Sequence, residues 1–309
     1  MTVKAQSFNH FLRERGVEND VRSLLYHLVR GVKYINFAIR AGNTGKIKTE
    51  NSSGEQQMAL DVMADQMIMD ELEKSELCSQ IASEEQESCV MFDSPRGNYF
   101  VAYDPLDGSS LVNANLAIGS IFGVWESPEV MGKSAGDGMV ASCFAVYGPR
   151  ITLTIAIKGK GAHEFELNDV GEFILTKADI EVAPETKYFA PGNLRACMDN
   201  PKYNAVMQDW LKKQRKLRYS GGMVPDLNHI LCKGQGIFTY PGDSEHADGK
   251  LRLLFECAPM ALVFEEAKAS ALNQVGERIL DTVVNDYHQR TPIFVGSSAE
   301  VKTVVDMLQ

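Results

Sequence analysis

The stretch YDPLDGSS, Tyr103 to Ser110, sets two aspartates three positions apart and follows the second with Gly-Ser-Ser. A carboxylate pair suits a hard cation, whereas Gly-Ser-Ser suits an anion lying against bare backbone N–H groups. One ligand reconciles the two: a phosphate carried on a metal. On its own DPLDG also reads as an ordinary turn, because Asp and Gly are turn residues. Two neighbouring signals strengthen the metal reading. Glu84 and Glu85 close the strand-like run SQIAS, although adjacent glutamates at a strand end are equally well explained as a solvated edge. Asp61 lies inside the apolar helical pattern MALDVMADQ, where an inward charge is costly unless it is paired or ligates metal. Taken together, Asp61, Glu84, Glu85, Asp104 and Asp107 form an all-oxygen set, which suits Mg²⁺ or Mn²⁺ rather than zinc. The N–H groups of Gly108, Ser109 and Ser110, if they open a helix, would hold the phosphoryl oxygens.

Outward from this stretch, apolar residues recur at helical spacing from Val21 to Ala41, and QQMALDVMADQMIMDELEKS reads as a second amphipathic helix. Strand-like runs follow: SQIAS, YFVAY, AIGSIFGVW, MVASCFAVYG and RITLTIAI, then a hairpin with an Asn-Asp turn in KGKGAHEFELNDVGEFILT. The segment DIEVAPETKYFAPGNLR, with two prolines and a glycine, marks a lobe boundary. Residues 1–183 then form a metal- and phosphate-binding lobe and residues 184–309 an α/β lobe. In the second lobe a helix enters through Asn200-Pro201, and LLFECAPMA reads as a core strand with one polar residue, Glu256. The expected class is α/β, layered as α+β, in two lobes: helices first, then a sheet, then a lobe in which strand and helix patterns alternate.

Composition limits what such a protein does. Apolar residues make up 44% and charged residues 23%, which is globular, and 41 acidic against 31 basic side chains give a net charge of −10. That balance argues against a nucleic-acid surface, so an anionic substrate needs a local basic cluster. The six cysteines have no C-x-x-C pair or zinc spacing and read as isolated reduced thiols. No apolar run is long enough to span a bilayer, and the first residues carry no apolar signal core. The expected place is the cytoplasm, or the plastid if a transit peptide has been removed.

SEE, DPLDGSS, RYSGGMVPD, GKLRLLFECAPMA and RTPIFVGS together resemble the class I fructose-1,6-bisphosphatase and sedoheptulose-1,7-bisphosphatase family over nearly the whole chain. FAPGNLRACMDNP, RYSGGMVPDL and IFGVW are most similar to the sedoheptulose branch, and IFTYPGDSEHADGKLRLL to the fructose branch. The resemblance implies that Asp61, Glu84, Glu85, Asp104, Asp107 and Glu256, with the carbonyl of Leu106, bind Mg²⁺ or Mn²⁺. By the same resemblance Asp61 and Glu85 position and deprotonate the attacking water. It puts Arg218, Tyr219, Tyr240, Lys250 and Asn193 at the far phosphate, where Arg195 replaces a family tyrosine, and Gly222 and Met223 against the sugar. Arg218, Lys250 and Arg252 supply the basic cluster that the charge balance calls for, although Lys250 and Arg252 taken alone read more readily as a solvated strand face. The implied reaction is hydrolysis of the 1-phosphate of sedoheptulose 1,7-bisphosphate, with fructose 1,6-bisphosphate, or both sugars, as the alternative. A non-catalytic regulator on the same fold would be expected to have lost a carboxylate. The implied assembly is a homodimer or homotetramer with Arg218 reaching a neighbour's site. Three departures stand out: no cysteine pair in RAGNTGKIKTENSSG, only ERGVENDV where some members bind AMP, and EEAKASA where a Gly-Gly pair is usual.

Overall fold

The computed structural model describes residues 6–41, 46–50, 56–93 and 95–309. Part of RAGNTGKIKTENSSG, on which the missing cysteine pair was read, lies outside them. Helices α1 (Phe8–Glu14) and α2 (Asn19–Arg40) precede a short pair β1 (Lys46–Glu50) and β2 (Gln56–Met58), then α3 (Ala59–Ser75). Strands β3 (Cys78–Ser83), β4 (Val90–Met91), β5 (Tyr99–Asp107), β6 (Ile118–Trp125), β7 (Met139–Tyr147), β8 (Ile151–Ile157), β9 (Gly161–Leu167) and β10 (Phe173–Lys177) follow. The rest comprises β11 (Tyr188–Pro191), α4 (Ala196–Asp199), α5 (Pro201–Lys212), β12 (Lys216–Leu217), α6 (Met223–Lys233) and β13 (Ile237–Tyr240). It closes with α7 (Ala258–Glu266), β14 (Ser270–Leu272), β15 (Ile293–Gly296) and α8 (Ser298–Leu308).

The large sheet runs β10-β9-β8-β7-β6-β5-β3-β4, antiparallel except where β3 pairs β5, and the smaller one runs β12-β11-β13-β15-β14. The inner strands of the large sheet are apolar on both faces because both faces are covered. On β7, Ala141, Cys143, Ala145 and Tyr147 join the core under α1–α3, while Phe144 and Val146 face the core shared with α6 and α7. A third core under α5 and α8 backs the smaller sheet, giving alternating helix and sheet layers. The two sheets divide the chain near residues 178–187, after β10 and before β11.

One element differs in kind from the sequence reading. LLFECAPMA is not a core strand: Leu253–Cys257 is a π-helical turn, with the Cys257 N–H donating to Arg252 O at 2.9 Å, and it runs into α7. A short apolar run cannot separate a buried strand from a buried helix by periodicity, and Pro259 in the first turn of α7 was the available helix signal. The hairpin formed as its turn residues suggested, Asn168 Oδ1 accepting from the N–H groups of Val170 at 3.1 Å and Glu172 at 2.8 Å.

The EEAKASA departure is also resolved. α7 ends in a Schellman arrangement, Lys268 N donating to Glu265 O and Ala269 N to Phe264 O, which puts Lys268 at φ +62° where glycine is favoured. Lys268→Gly should raise the melting temperature, through a stabilisation of roughly 0.5–1 kcal/mol left after the entropy of a freer unfolded chain is subtracted. Thermal unfolding checks this, and an unchanged or lower melting temperature would show that its contact with Glu181 outweighs the backbone strain.

Candidate active site

β5 is buried along its length and ends in the Asp104–Asp107 turn, so the fold delivers both aspartates at the edge of the core. Asp104 Oδ1 accepts from Leu106 N at 2.8 Å, which closes the turn on itself. Asp107 Oδ2 accepts from Val224 N at 2.7 Å, so the opening of α6 is turned onto this carboxylate. That approach depends on Gly119 of β6, opposite Asp107, because a Cβ there would lie 2.3 Å from Val224 Cγ1 and 2.6 Å from Ala145 O. Gly108 follows at φ +76°, and the 3-10 helix Ser109–Ala114 starts directly after it. The first N–H groups of such a turn have no acceptor inside it.

The π-helical turn brings Glu256 to the same place. Asp104, Asp107 and Glu256 each present a buried carboxylate oxygen, the three within 4.8 Å of one another. Glu84 lies within electrostatic reach of all three. Burial, and then repulsion from Glu84, push Asp104 and Glu256 well above the ordinary carboxylate range, and burial pushes Asp107 up to about 7. Such a cluster fits a hard divalent cation, whose charge offsets the repulsion and whose preferred donors are carboxylate oxygens. Arg252, 4% exposed, supplies a nearby positive charge: its guanidinium is 3.1 Å from Glu84 Oε1, and its backbone N–H donates to Glu256 Oε2 at 2.6 Å. Although read with Lys250 as part of a phosphate cluster, Arg252 is engaged with the carboxylates.

Asp61 is buried on α3 and Glu85 half-buried beyond the end of β3, on elements that pack beside β5. Tyr219 Oη donates to Gly192 O at 3.2 Å. Burial and then neighbouring groups raise both tyrosines, Tyr219 feeling Asp226 and Asp107, and Tyr240 feeling Tyr219 and Glu256. Gly222 and Met223 open α6, and Lys250 is half-buried. Arg218 is exposed and lies over the Tyr188 ring, 5.6 Å from its centroid. Asn193 is turned inward at 4% exposure, its amide donating to Pro241 O at 3.1 Å and Asp243 Oδ2 at 3.0 Å, so it keeps no N–H for a phosphate. Arg195 pairs with Asp243 and Glu245.

Sequence reasoning passed over Asp65, one helical turn beyond Asp61. It accepts from Ser83 Oγ at 2.6 Å, from Tyr103 Oη at 2.9 Å and from the Gln86 amide. Two acids four apart on one helix, both facing the core, were the signal that could have found it.

The raised carboxylates make metal removal a measurable event. Because the Asp107 value in the fold lies above its unfolded value, its protonation favours the metal-free fold at low pH, and that contribution is lost as pH rises through about 7. A cation needs the ionised form, so the melting-temperature gain on adding Mg²⁺ to chelator-dialysed protein should grow from about pH 5 to about pH 8. A gain independent of pH would contradict this.

The chain matches family models over its length: residues 1–178 match "Fructose-1-6-bisphosphatase, N-terminal domain" and residues 182–309 match "Fructose-1-6-bisphosphatase, C-terminal domain". It is 40% identical over 301 residues to a class 1 fructose-1,6-bisphosphatase of Pelobacter propionicus, covering 96% of this chain and 91% of that protein. It is 38% identical over 297 residues to the chloroplastic sedoheptulose-1,7-bisphosphatase of Triticum aestivum, covering 96% and 75%. The crystal structure of Leishmania major fructose-1,6-bisphosphatase in holo form superposes with a TM-score of 0.92 at 32% identity, covering 99% of each chain. Fold and relatives therefore define a sugar bisphosphatase, a phosphoric monoester hydrolase. The chain belongs to the fructose-1,6-bisphosphatase family.

Proposed function

We propose that the protein hydrolyses the 1-phosphate of fructose 1,6-bisphosphate, using Mg²⁺ held by Asp61, Glu84, Glu85, Asp104, Asp107, Glu256 and the Leu106 carbonyl. The buried triplet Asp104, Asp107 and Glu256 carries this reading, because three buried carboxylate oxygens within 4.8 Å of one another form a donor set suited to a hard cation. A bound divalent cation neutralises phosphate charge and acidifies a water. Asp61 and Glu85 would orient the attacking water and accept its proton, and the N–H groups of Gly108, Ser109 and Ser110 would take phosphoryl oxygens. Tyr240 and Lys250 hold the far phosphate, with Tyr219, whose O–H is donated to Gly192 O, lining the same end, and Gly222 and Met223 bound the sugar.

The preference for the six-carbon sugar rests on two points. The Pelobacter propionicus and Leishmania major relatives carry the fructose name. The PGNLR segment, which pointed to the seven-carbon sugar, spends its Asn193 amide inside the protein. Sedoheptulose 1,7-bisphosphate remains the second reading, supported by the Triticum aestivum relative. One extra carbon lengthens the span between the two phosphates, so the site should discriminate through kcat/KM. Phosphate release from both sugars, measured side by side with Mg²⁺, should give the higher kcat/KM for fructose 1,6-bisphosphate, and a reversed ratio would move the assignment to the seven-carbon substrate.

The reading includes a homo-oligomer, dimer or tetramer. The pairing of β12 with β11 continues through Arg218 N, which donates to Phe189 O, and successive side chains of an extended segment point to opposite sides. Tyr219 reaches Gly192, while the exposed Arg218 lies over the Tyr188 ring, which leaves it available to serve a neighbouring subunit.

A further inference from the structure

Four acids of the proposed cation site share a feature of their immediate neighbours. Ser83 precedes Glu84, Gln86 follows Glu85, Tyr103 precedes Asp104 and Phe255 precedes Glu256. Two side chains grip all four neighbours. Asp65, 2% exposed, takes the hydroxyls of Ser83 and Tyr103 and the amide of Gln86. His288, from the segment between β14 and β15, donates through Nε2 to Gln86 O at 2.9 Å and stands edge-on to the Phe255 ring, centroids 5.0 Å apart at 73°. The turn bearing Glu84 and Glu85 is thus held on one side by the first-lobe helix and on the other by the second lobe.

We propose that Asp65 and His288 form a clamp across this turn that sets the spacing of Glu84, Glu85, Asp104 and Glu256, and with it the affinity of the site for a divalent cation. Both are positioning residues, acting through their neighbours. A buried carboxylate with three donors and a ring wedged on Phe255 each have a single good geometry, so the acids they anchor arrive preset rather than being gathered by the ion. A loosely held turn would relax under the repulsion among its carboxylates, and the ion would then have to draw it back.

The proposal rests on the reading that these carboxylates hold a cation, and the test separates the two. The probe is Mn²⁺ alone, followed by calorimetry, alongside melting temperature in chelator and phosphate release. Gln86→Leu removes one limb at a half-buried position, and His288→Phe keeps the ring on Phe255 while deleting its N–H. Each should weaken Mn²⁺ binding about 10–100-fold, with the chelated melting temperature within a few degrees of the unmodified protein. Asp65→Leu should weaken it at least as much. In Asp65→Asn, Oδ1 still accepts from Ser83 and Tyr103, and a flipped Gln86 amide accepts from the new N–H, so affinity should return to within about threefold.

Unchanged Mn²⁺ affinity in both Gln86→Leu and His288→Phe would overturn the clamp. So would affinity losses matched by equal losses of chelated stability, or an Asp65→Asn protein as weak as Asp65→Leu. If the unmodified protein itself binds no Mn²⁺, the cation reading fails first, and the clamp with it.

Discussion

Asp104→Asn should lower phosphate release about a thousandfold or more while the protein stays folded. The amide is isosteric and its oxygen still accepts from Leu106 N, so the turn survives. What is lost is a buried negative charge facing Glu84, Asp107 and Glu256, one of those that a cation offsets. Losing such a contact typically removes several kcal/mol of transition-state stabilisation. In the metal-free protein the amide removes a carboxyl whose ionised form burial and its neighbours disfavour, so the chelated melting temperature should hold or rise. Steady-state kinetics with thermal unfolding in chelator read both effects, and near-normal turnover in the folded variant would contradict the assigned role of Asp104.

The second large effect concerns Arg218. Arg218→Ala should weaken substrate binding by the loss of a charge-assisted contact worth about 1.5–3 kcal/mol, roughly ten- to a hundredfold. If the arginine serves a neighbour, hybrids assembled from Arg218→Ala and Asp104→Asn subunits contain one site with an intact carboxylate set and an intact arginine from the other subunit. Activity at low substrate should then exceed that of the same two proteins mixed without subunit exchange. Verified hybrids with no such rise would place Arg218 in its own subunit's site or outside any site.

Much of the proposed site was legible because its residues advertise themselves locally. DPLDG sits at the end of a fully buried strand, and Asp61 interrupts an apolar helical face. Both are charges where burial makes charge costly. Glu256 was not legible in this way, since its π-helical turn lies within an apolar stretch whose periodicity does not separate strand from helix. Asn193 and Arg252 show how residue type alone leaves a side chain's partners open. Their residue types suit a phosphate, but their donors are committed to Asp243 and Pro241 in one case and to Glu84 in the other, pairings made across distant parts of the chain. Asp65 and His288 act through the neighbours of the acids, and that relation exists only once β3, β5 and the π-helical turn are side by side.

The central claim is that the carboxylate cluster works through a divalent cation on a sugar bisphosphate. Its most direct test is phosphate release from fructose 1,6-bisphosphate by chelator-dialysed protein as Mg²⁺ is added back. The account predicts almost no release in chelator, a saturable rise with Mg²⁺, and a single phosphate released per sugar with fructose 6-phosphate as product. Release in excess chelator equal to that with Mg²⁺, or no release at any Mg²⁺ concentration, would contradict it.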